Sequence, residues 1–193
     1  AAAHIWLKGL GVEASRDRIL ITNGTAHGIF LAVAALVQPG EVVLTENLTD
    51  HGIIGLANVL GFSLRGLPID REGILVEAFE EACRAGGVTA LVLVPTLGNP
   101  TSHLAGAERR RAIAEVARRH GVFVIEDEVF KPLLDTSLPA ITELLPDLGF
   151  FVTGFTKSGM AGLRGGSREV GRALAPLGPS SGRRKGAPRF SHT

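Results

Sequence analysis

The feature that most limits the fold of this chain is an alternation of short, β-branched apolar runs with longer amphipathic segments. Such an alternation is typical of an α/β domain with a largely parallel sheet. Several of the runs carry apolar residues on both faces, as expected for strands that helices cover on each side. The runs that we predict as strands are residues 18–22, 42–45, 63–68, 89–94, 122–126 and 150–153.

Amphipathic segments between these runs predict helices. The clearest spans residues 106–120, in which Ile113, Val116 and Ala117 recur at helical spacing. The arginines of the same segment, Arg110 among them, are expected on its polar, solvent-facing side. The other predicted helices span residues 26–37, 51–60 and 77–85.

The size and charge of the chain fit one globular domain and argue against a nucleic-acid binder. It has 193 residues, 45% of them hydrophobic, and 20 Lys and Arg against 19 Asp and Glu leave a formal net charge of +1. A balanced charge offers no broad basic field for a phosphate backbone. The single cysteine, Cys83, provides neither an internal disulfide nor a cysteine-based metal site. With no signal sequence or apolar membrane span recognised, we expect a cytoplasmic protein that binds neither nucleic acid nor membrane.

From residue 165 onward the composition changes. Residues 165–193 are rich in Gly, Arg, Ser and Pro and have only scattered apolar residues. Such a segment buries too little apolar surface to order itself, so we expect a disordered C-terminal tail. We therefore divide the chain into a folded domain over residues 1–164 and a tail over residues 165–193.

Two junctions at strand ends carry residues suited to ligand binding. Asn23, Gly24 and Thr25 follow a predicted strand and open a helix, where free N–H groups and the helix dipole favour a phosphate. The same residues also serve as plain helix caps without any ligand. The second junction is the loop at residues 95–101, which leaves a strongly apolar strand and contains Asn99. Open α/β sheets bind ligands at that edge, although Asn-Pro is also an ordinary turn signal.

Two further junctions carry ionisable side chains. Glu126, Asp127 and Glu128 follow an apolar strand directly. Acids in that position point into a site or hold a cation, or else they lie in a solvated loop. The last junction is a strand that runs into Lys157, and Thr156 stands where a nucleotide P-loop requires glycine. A nucleotide P-loop is therefore excluded.

Taken in order, these motifs resemble those of the fold-type I aminotransferases that use pyridoxal 5′-phosphate. The likeness is strongest to the class I/II aminotransferase-like domain of MocR-like members of the GntR regulator family. It covers residues 1 to about 164 and implies the three-layer, mainly parallel large domain of a fold-type I enzyme. The segments that carry it are residues 21–27, 44–49, 95–101, 125–128, 154–157 and 162–164.

The resemblance implies a role for each matching residue. Lys157 matches the lysine that forms a Schiff base with the cofactor aldehyde. Asp127 matches the carboxylate that keeps the pyridine nitrogen protonated, and these two are the implied catalytic residues. Asn99 matches the amide that donates to the phenolic oxygen of the ring. The remaining implied cofactor contacts are Gly24, Thr25 and Ala26 at the phosphate, Thr156 beside the lysine, Phe130 against the ring, and Arg164, which pairs with the phosphate.

The chain departs from the family pattern at several of these positions. Phe130 stands where relatives commonly have a tyrosine that also contacts the phenolic oxygen, so that hydrogen bond is lost. Gly154 replaces a serine of the phosphate site. Many relatives have an aromatic residue that stacks on the cofactor in the loop after Thr49, where this chain reads Asp-His-Gly. His51 either stacks in its place or is an ordinary residue at a helix start.

The resemblance also implies an activity. Amino-group transfer between an amino acid and a 2-oxo acid, by a homodimer, is the first expectation. The family pattern continues into a small C-terminal domain that binds the substrate carboxylate, and it is not recognisable after residue 166, so the chain is interpreted as truncated. The alternatives are a non-catalytic module that senses the cofactor or an effector for a MocR-like regulator, and an inactive remnant. We expect cofactor binding to outlast efficient catalysis.

Overall fold

The computed structural model describes residues 2–134, 137–157 and 170–172. In chain order the strands are β1 (Ile21–Asn23), β2 (Val42–Glu46), β3 (Ser63–Leu67), β4 (Ile69–Asp70), β5 (Gly73–Ile74), β6 (Val88–Leu93), β7 (Phe123–Asp127), β8 (Gly149–Val152) and β9 (Val170–Arg172). The α-helices are α1 (Ala2–Gly9), α2 (Gly24–Leu36), α3 (His51–Leu60), α4 (Val76–Arg84) and α5 (Ala107–His120). Short 3-10 helices span Arg16–Arg18, Lys131–Leu133 and Thr142–Leu144. Across this part of the chain, no helix is both long and apolar enough to cross a membrane.

A parallel sheet lies between two layers of helices. Within the described residues it contains β3, β2, β6, β7 and β8 in that order, and every neighbouring pair is parallel. On one face, Val33 of α2 and Ile53 of α3 pack against the sheet around Ile125. On the other face, Phe79 of α4 and Ile113 of α5 fill a second apolar core. The predicted three-layer, mainly parallel α/β fold is confirmed.

Most predicted elements agree with the structure to within about two residues at either end, but the first strand does not. The predicted strand at residues 18–22 is replaced by a 3-10 turn followed by β1 (Ile21–Asn23), which lies outside the central sheet. Leu20 and Ile21 remain 42% and 52% exposed. This apolar run therefore does not supply a buried strand, because it is not covered by helices on both sides.

The partner of β1 comes from the predicted tail. Val170–Arg172 pairs with it in antiparallel register, with Asn23 opposite Val170. The other residues of the segment 165–193, and Arg164 before it, lie outside the described residues.

Arg110 of α5 is in the interior, so the prediction that it faces solvent was wrong. None of its side chain is exposed. The first turn of α5 lies over the ends of β6 and β7, where the carboxylates of Glu126 and Glu128 accept from the guanidinium. Paired carboxylates offset the desolvation of a buried cation, which a helical periodicity alone does not reveal.

The strand order places a crevice at one edge of the sheet. From β2 the chain moves outward through α3 to β3, whereas from β6 it moves outward in the opposite direction through α5 to β7. Ligands of open α/β sheets bind outside the carboxyl ends of the strands where the order reverses in this way. The strands that end there are β2 at Glu46 and β6 at Leu93, with Asp127 at the end of the next strand.

Candidate active site

A cavity of about 470 Å³ lies at this carboxyl edge of the sheet. Its wall includes the first residues of α2 and α3, the ends of β2, β6 and β7, and the segment that ends at Lys157. The predicted site residues that line it are Gly24, Thr25, Ala26, Asn99, Asp127, Phe130, Thr156 and Lys157. Arg164, the remaining predicted contact, lies outside the described residues. The fold thus gathers side chains from distant parts of the sequence around one space.

The N-terminus of α2 presents backbone donors to the cavity. Gly24 begins the helix at a φ of +81°, a left-handed conformation that glycine adopts without strain. The side chain of the N-cap residue Asn23 makes no capping hydrogen bond. Among the described residues, none accepts from the N–H groups of Thr25 or Ala26. These donors and the positive end of the helix dipole suit an anion such as a phosphate.

Asp127 is the acid of the 126–128 run that lines the cavity. The backbone N–H of Val129 donates to its Oδ1 at 3.1 Å, and no cationic side chain in the described part of the chain lies against it. Burial, reinforced by the carboxylates of Glu128, Asp50 and Glu46, raises the pKa of Asp127 to about 7. The carboxylate is therefore short of positive charge, and a cationic group of a ligand would stabilise it.

Glu126 and Glu128 turn away from the cavity. Successive side chains of a strand point to opposite faces, so these two share the face that Asp127 does not. Both are fully buried, and their Oε1 atoms lie 3.2 Å and 2.9 Å from Nη1 of Arg110. Burial beside Glu128 also raises the pKa of Glu126. Of the three acids, one faces the cavity and two hold a buried guanidinium, and the described residues contain no cluster that could bind a metal ion.

Asn99 is held at the cavity by a contact that the sequence did not predict. Its Nδ2 donates to Oδ2 of Asp50 at 3.0 Å. Asp50 is also the N-cap of α3, since its Oδ1 accepts from the N–H of Gly52 at 2.7 Å. The capping position can be read from the sequence, but its partner in the loop after β6 cannot.

His51 is an ordinary residue at the start of α3. Its side chain is 97% exposed and does not line the cavity. Of the two interpretations of His51, the structure supports the helix start and gives no support to stacking.

Glu46 and His103 form a buried polar contact at the cavity floor, and neither was singled out as a functional residue. Oε1 of Glu46 accepts from the N–H of Val94 at 2.9 Å and lies 3.8 Å from Nε2 of His103. Burial raises the pKa of Glu46 and lowers that of His103. Both shifts favour the neutral forms, so the pair is a polar contact rather than a full ion pair. An acid directly after the apolar run of β2 was the available sequence signal.

Replacing Asp50 by serine should release Asn99 without uncapping α3. Serine caps helices about as well as aspartate, so the free energy of unfolding should change by less than about 0.5 kcal/mol. Its shorter side chain cannot reach Asn99, and we expect faster solvent exchange of the Asn99 side-chain amide in NMR spectra. Asp50→Asn, which keeps both a cap and an acceptor, is the control. Equal exchange in the wild type and Asp50→Ser would show that the contact does not hold Asn99.

Comparison with known proteins places this geometry in a family. Residues 1–170 match the family model for aminotransferase class I and II. The chain is 30% identical over 164 residues to the uncharacterized HTH-type transcriptional regulator YdeF of Bacillus subtilis strain 168, a match that covers 85% of this chain and 35% of that protein. The chain thus spans about a third of the length of that relative.

Solved structures share the fold. An archaeal alanine:glyoxylate aminotransferase superposes with a TM-score of 0.79 at 25% identity, covering 89% of this chain and 44% of its own. LysN, the α-aminoadipate aminotransferase of Thermus thermophilus complexed with N-(5′-phosphopyridoxyl)-L-leucine, gives a TM-score of 0.77 at 24% identity, with 90% and 44% covered. The resemblance noted in the sequence is confirmed, and this chain belongs to the class I and II aminotransferase family.

Proposed function

We propose that this chain forms the cofactor-binding part of an aminotransferase site that uses pyridoxal 5′-phosphate. The observation that carries the proposal is that Lys157, Asp127, Asn99 and the N-terminus of α2 line one cavity. An amino acid and a 2-oxo acid are the proposed substrates, and a homodimer is the proposed assembly, both by analogy with the family. We retain residues 1–164 as the folded domain and residues 165–193 as its tail.

The donors and charges of the cavity fit this cofactor. A phosphate requires hydrogen-bond donors, which the first turn of α2 offers. A protonated ring nitrogen requires an anion, and Asp127 is a carboxylate without a cationic partner among the described residues. An aldehyde requires an amine, and Lys157 has an exposed side chain that lines the same space. The solved structure of LysN supports the proposal, since its title describes a phosphopyridoxyl compound bound to that protein.

When bound, the cofactor supplies an electron-withdrawing ring that stabilises negative charge at the α-carbon of the substrate. Asp127, held by the N–H of Val129, would keep a proton on the ring nitrogen. Nζ of Lys157 would bind the aldehyde carbon and, as a free amine, would move a proton between substrate carbon atoms. Nδ2 of Asn99, oriented by Asp50, would donate to the phenolic oxygen.

Covalent labelling at Lys157 tests this proposal. Pyridoxal 5′-phosphate added to the wild-type chain should produce a visible absorbance band that borohydride removes, with the reduced label recovered on the peptide containing Lys157. Lys157→Ala should lose the label completely, because no other lysine of the described residues lines the cavity. Lys8→Ala, at an exposed lysine of α1, should keep it. Labelling that survives Lys157→Ala, or that spreads equally over both lysines, would contradict the proposal.

A second candidate function is supported by the relative named as a transcriptional regulator. In that case the chain binds the cofactor, or an amino-acid-like effector, without turnover. Single-turnover spectra with a panel of amino acids separate the two candidates. Rapid conversion of the bound cofactor to its pyridoxamine form indicates an aminotransferase, whereas a visible band that persists indicates a sensing module.

A further inference from the structure

The guanidinium of Arg110 is the centre of a buried hydrogen-bond cluster behind the cavity. Its planar group has five N–H donors in a fixed arrangement, and no part of the side chain is exposed. The acceptors are Ala105 O at 2.9 Å, Glu126 Oε1 at 3.2 Å, Glu128 Oε1 at 2.9 Å, Pro139 O at 3.2 Å, Pro95 O at 3.2 Å and Thr96 Oγ1 at 2.7 Å. We call Arg110 with these acceptors the arginine cluster.

These acceptors belong to the two segments that carry cavity side chains. Residues 95–105 form the loop after β6, and this loop contains Asn99. The two glutamates flank Asp127 at the end of β7. One buried side chain therefore joins the backbone positions from which both cavity groups extend.

The arginine cluster also decides which way Asp127 points. Side chains alternate along a strand, so residues 126 and 128 share one face and residue 127 takes the other. A one-residue slip would exchange the faces and remove both carboxylates from Arg110. An unpaired buried guanidinium is strongly unfavourable. The cluster therefore holds Asp127 toward the cavity.

Lys131 does not replace Arg110 in this role. Its buried Nζ donates to Leu138 O at 2.9 Å and lies 3.9 Å from Glu128 Oε1, beyond hydrogen-bond distance. The second oxygen of Glu128 has no hydrogen-bond partner among the described residues. Arg110 thus makes the direct contact that fixes Glu128.

We propose that Arg110 is a positioning residue of the cavity, whose guanidinium fixes the loop at residues 95–105 and the end of β7 so that Asn99 and Asp127 face the same ligand. The identity of that ligand rests on the proposed function. The positioning itself does not, and it can be measured in the cofactor-free chain.

Hydrogen exchange of backbone amides in the cofactor-free chain is the first test. The reporters are the N–H groups of Val129, which donates to Asp127 Oδ1, and of Gly98 and Ala105 within the loop. Arg110→Lys keeps the charge but loses the planar donors, and we expect exchange at these amides to accelerate about tenfold or more. The N–H of Val37 at the end of α2 should keep its rate.

Two matched variants complete that test. Thr96→Val removes one acceptor of Arg110 at nearly constant volume and should accelerate the same amides to a smaller extent. Arg111→Lys changes the exposed neighbour, which pairs with Glu108 on the surface, and should change none of them. Uniform acceleration of all amides, Val37 included, would show that Arg110 only stabilises the fold and would overturn the inference. If Arg110→Lys does not fold, the Thr96→Val pattern decides.

Binding of pyridoxal 5′-phosphate is the second test. We expect its dissociation constant to rise about tenfold or more in Arg110→Lys, and the pH at which the bound ring nitrogen loses its proton to fall, because Asp127 is displaced. An unchanged affinity and pH profile would contradict the inference. A wild-type chain that does not bind the cofactor would instead refute the proposed function, and the exchange pattern would still decide the role of Arg110.

Discussion

Replacing Asp127 by asparagine should stabilise the cofactor-free chain at neutral and higher pH. Burial raises the pKa of this carboxyl from its ordinary value of 3.8 to about 7, so its ionised form is less favourable in the folded than in the unfolded chain. The full shift corresponds to about 4 kcal/mol. We expect roughly half of that, about 2 kcal/mol, since the side chain borders an open cavity where solvent reduces the penalty.

The pH dependence of this effect has a defined sign. Below about pH 4 the carboxyl is protonated in both states, so the variant and the wild type should have nearly equal free energies of unfolding. Between about pH 4 and pH 7 the folded chain holds more protons at this site than the unfolded chain, and the wild type loses stability as the pH rises. The difference should reach its maximum above about pH 7.

Urea denaturation of Asp127→Asn and wild type over this pH range measures the difference. Asp147→Asn makes the same chemical change at an exposed position and should stay within about 0.5 kcal/mol of the wild type. With pyridoxal 5′-phosphate present the order should reverse, because losing a charged hydrogen bond to the ring nitrogen weakens binding about tenfold or more. A stability difference that is the same at low and high pH would contradict the assignment of Asp127.

Alanine at Gly98 should destabilise the chain by about 3 kcal/mol or more, at the upper end of what overpacking a core usually costs. A Cβ there would overlap the imidazole of His103. That ring is buried and bonded through Nδ1 to Thr101 Oγ1 at 2.7 Å, and Gly73 already lies close against it. The ring has no space to move into, so the backbone of the loop that carries Asn99 must shift.

Thermal or urea unfolding of Gly98→Ala checks this expectation. Gly55→Ala is the control, because a Cβ at Gly55 in α3 meets nothing within 4 Å and should stabilise the helix by about 0.5–1 kcal/mol. Adding His103→Ala to Gly98→Ala should recover part of the lost stability by removing the overlap. A Gly98→Ala chain as stable as the wild type would show that the loop adjusts without cost.

The sequence by itself determined the α/β class, most element boundaries and the composition of the cavity. Periodicity is a local property, so α3 at His51–Leu60 and the parallel strands β2 and β6 could be predicted from neighbouring residues alone. The ligand edge followed as well, since polar residues at the ends of parallel strands meet at one edge of the sheet. For this reason Asp127 and Asn99, predicted separately, line the same space.

Only the tertiary structure decided how those groups are held. The alternation along β7 puts Glu126 and Glu128 on one face, but it does not say which face a ligand meets. Arg110 decides this from α5, and its burial depends on acceptors 16 and 18 residues away in the sequence. The contact of Asp50 with Asn99 joins positions 49 residues apart. Such contacts depend on packing between elements, and local sequence patterns carry no information about the partner.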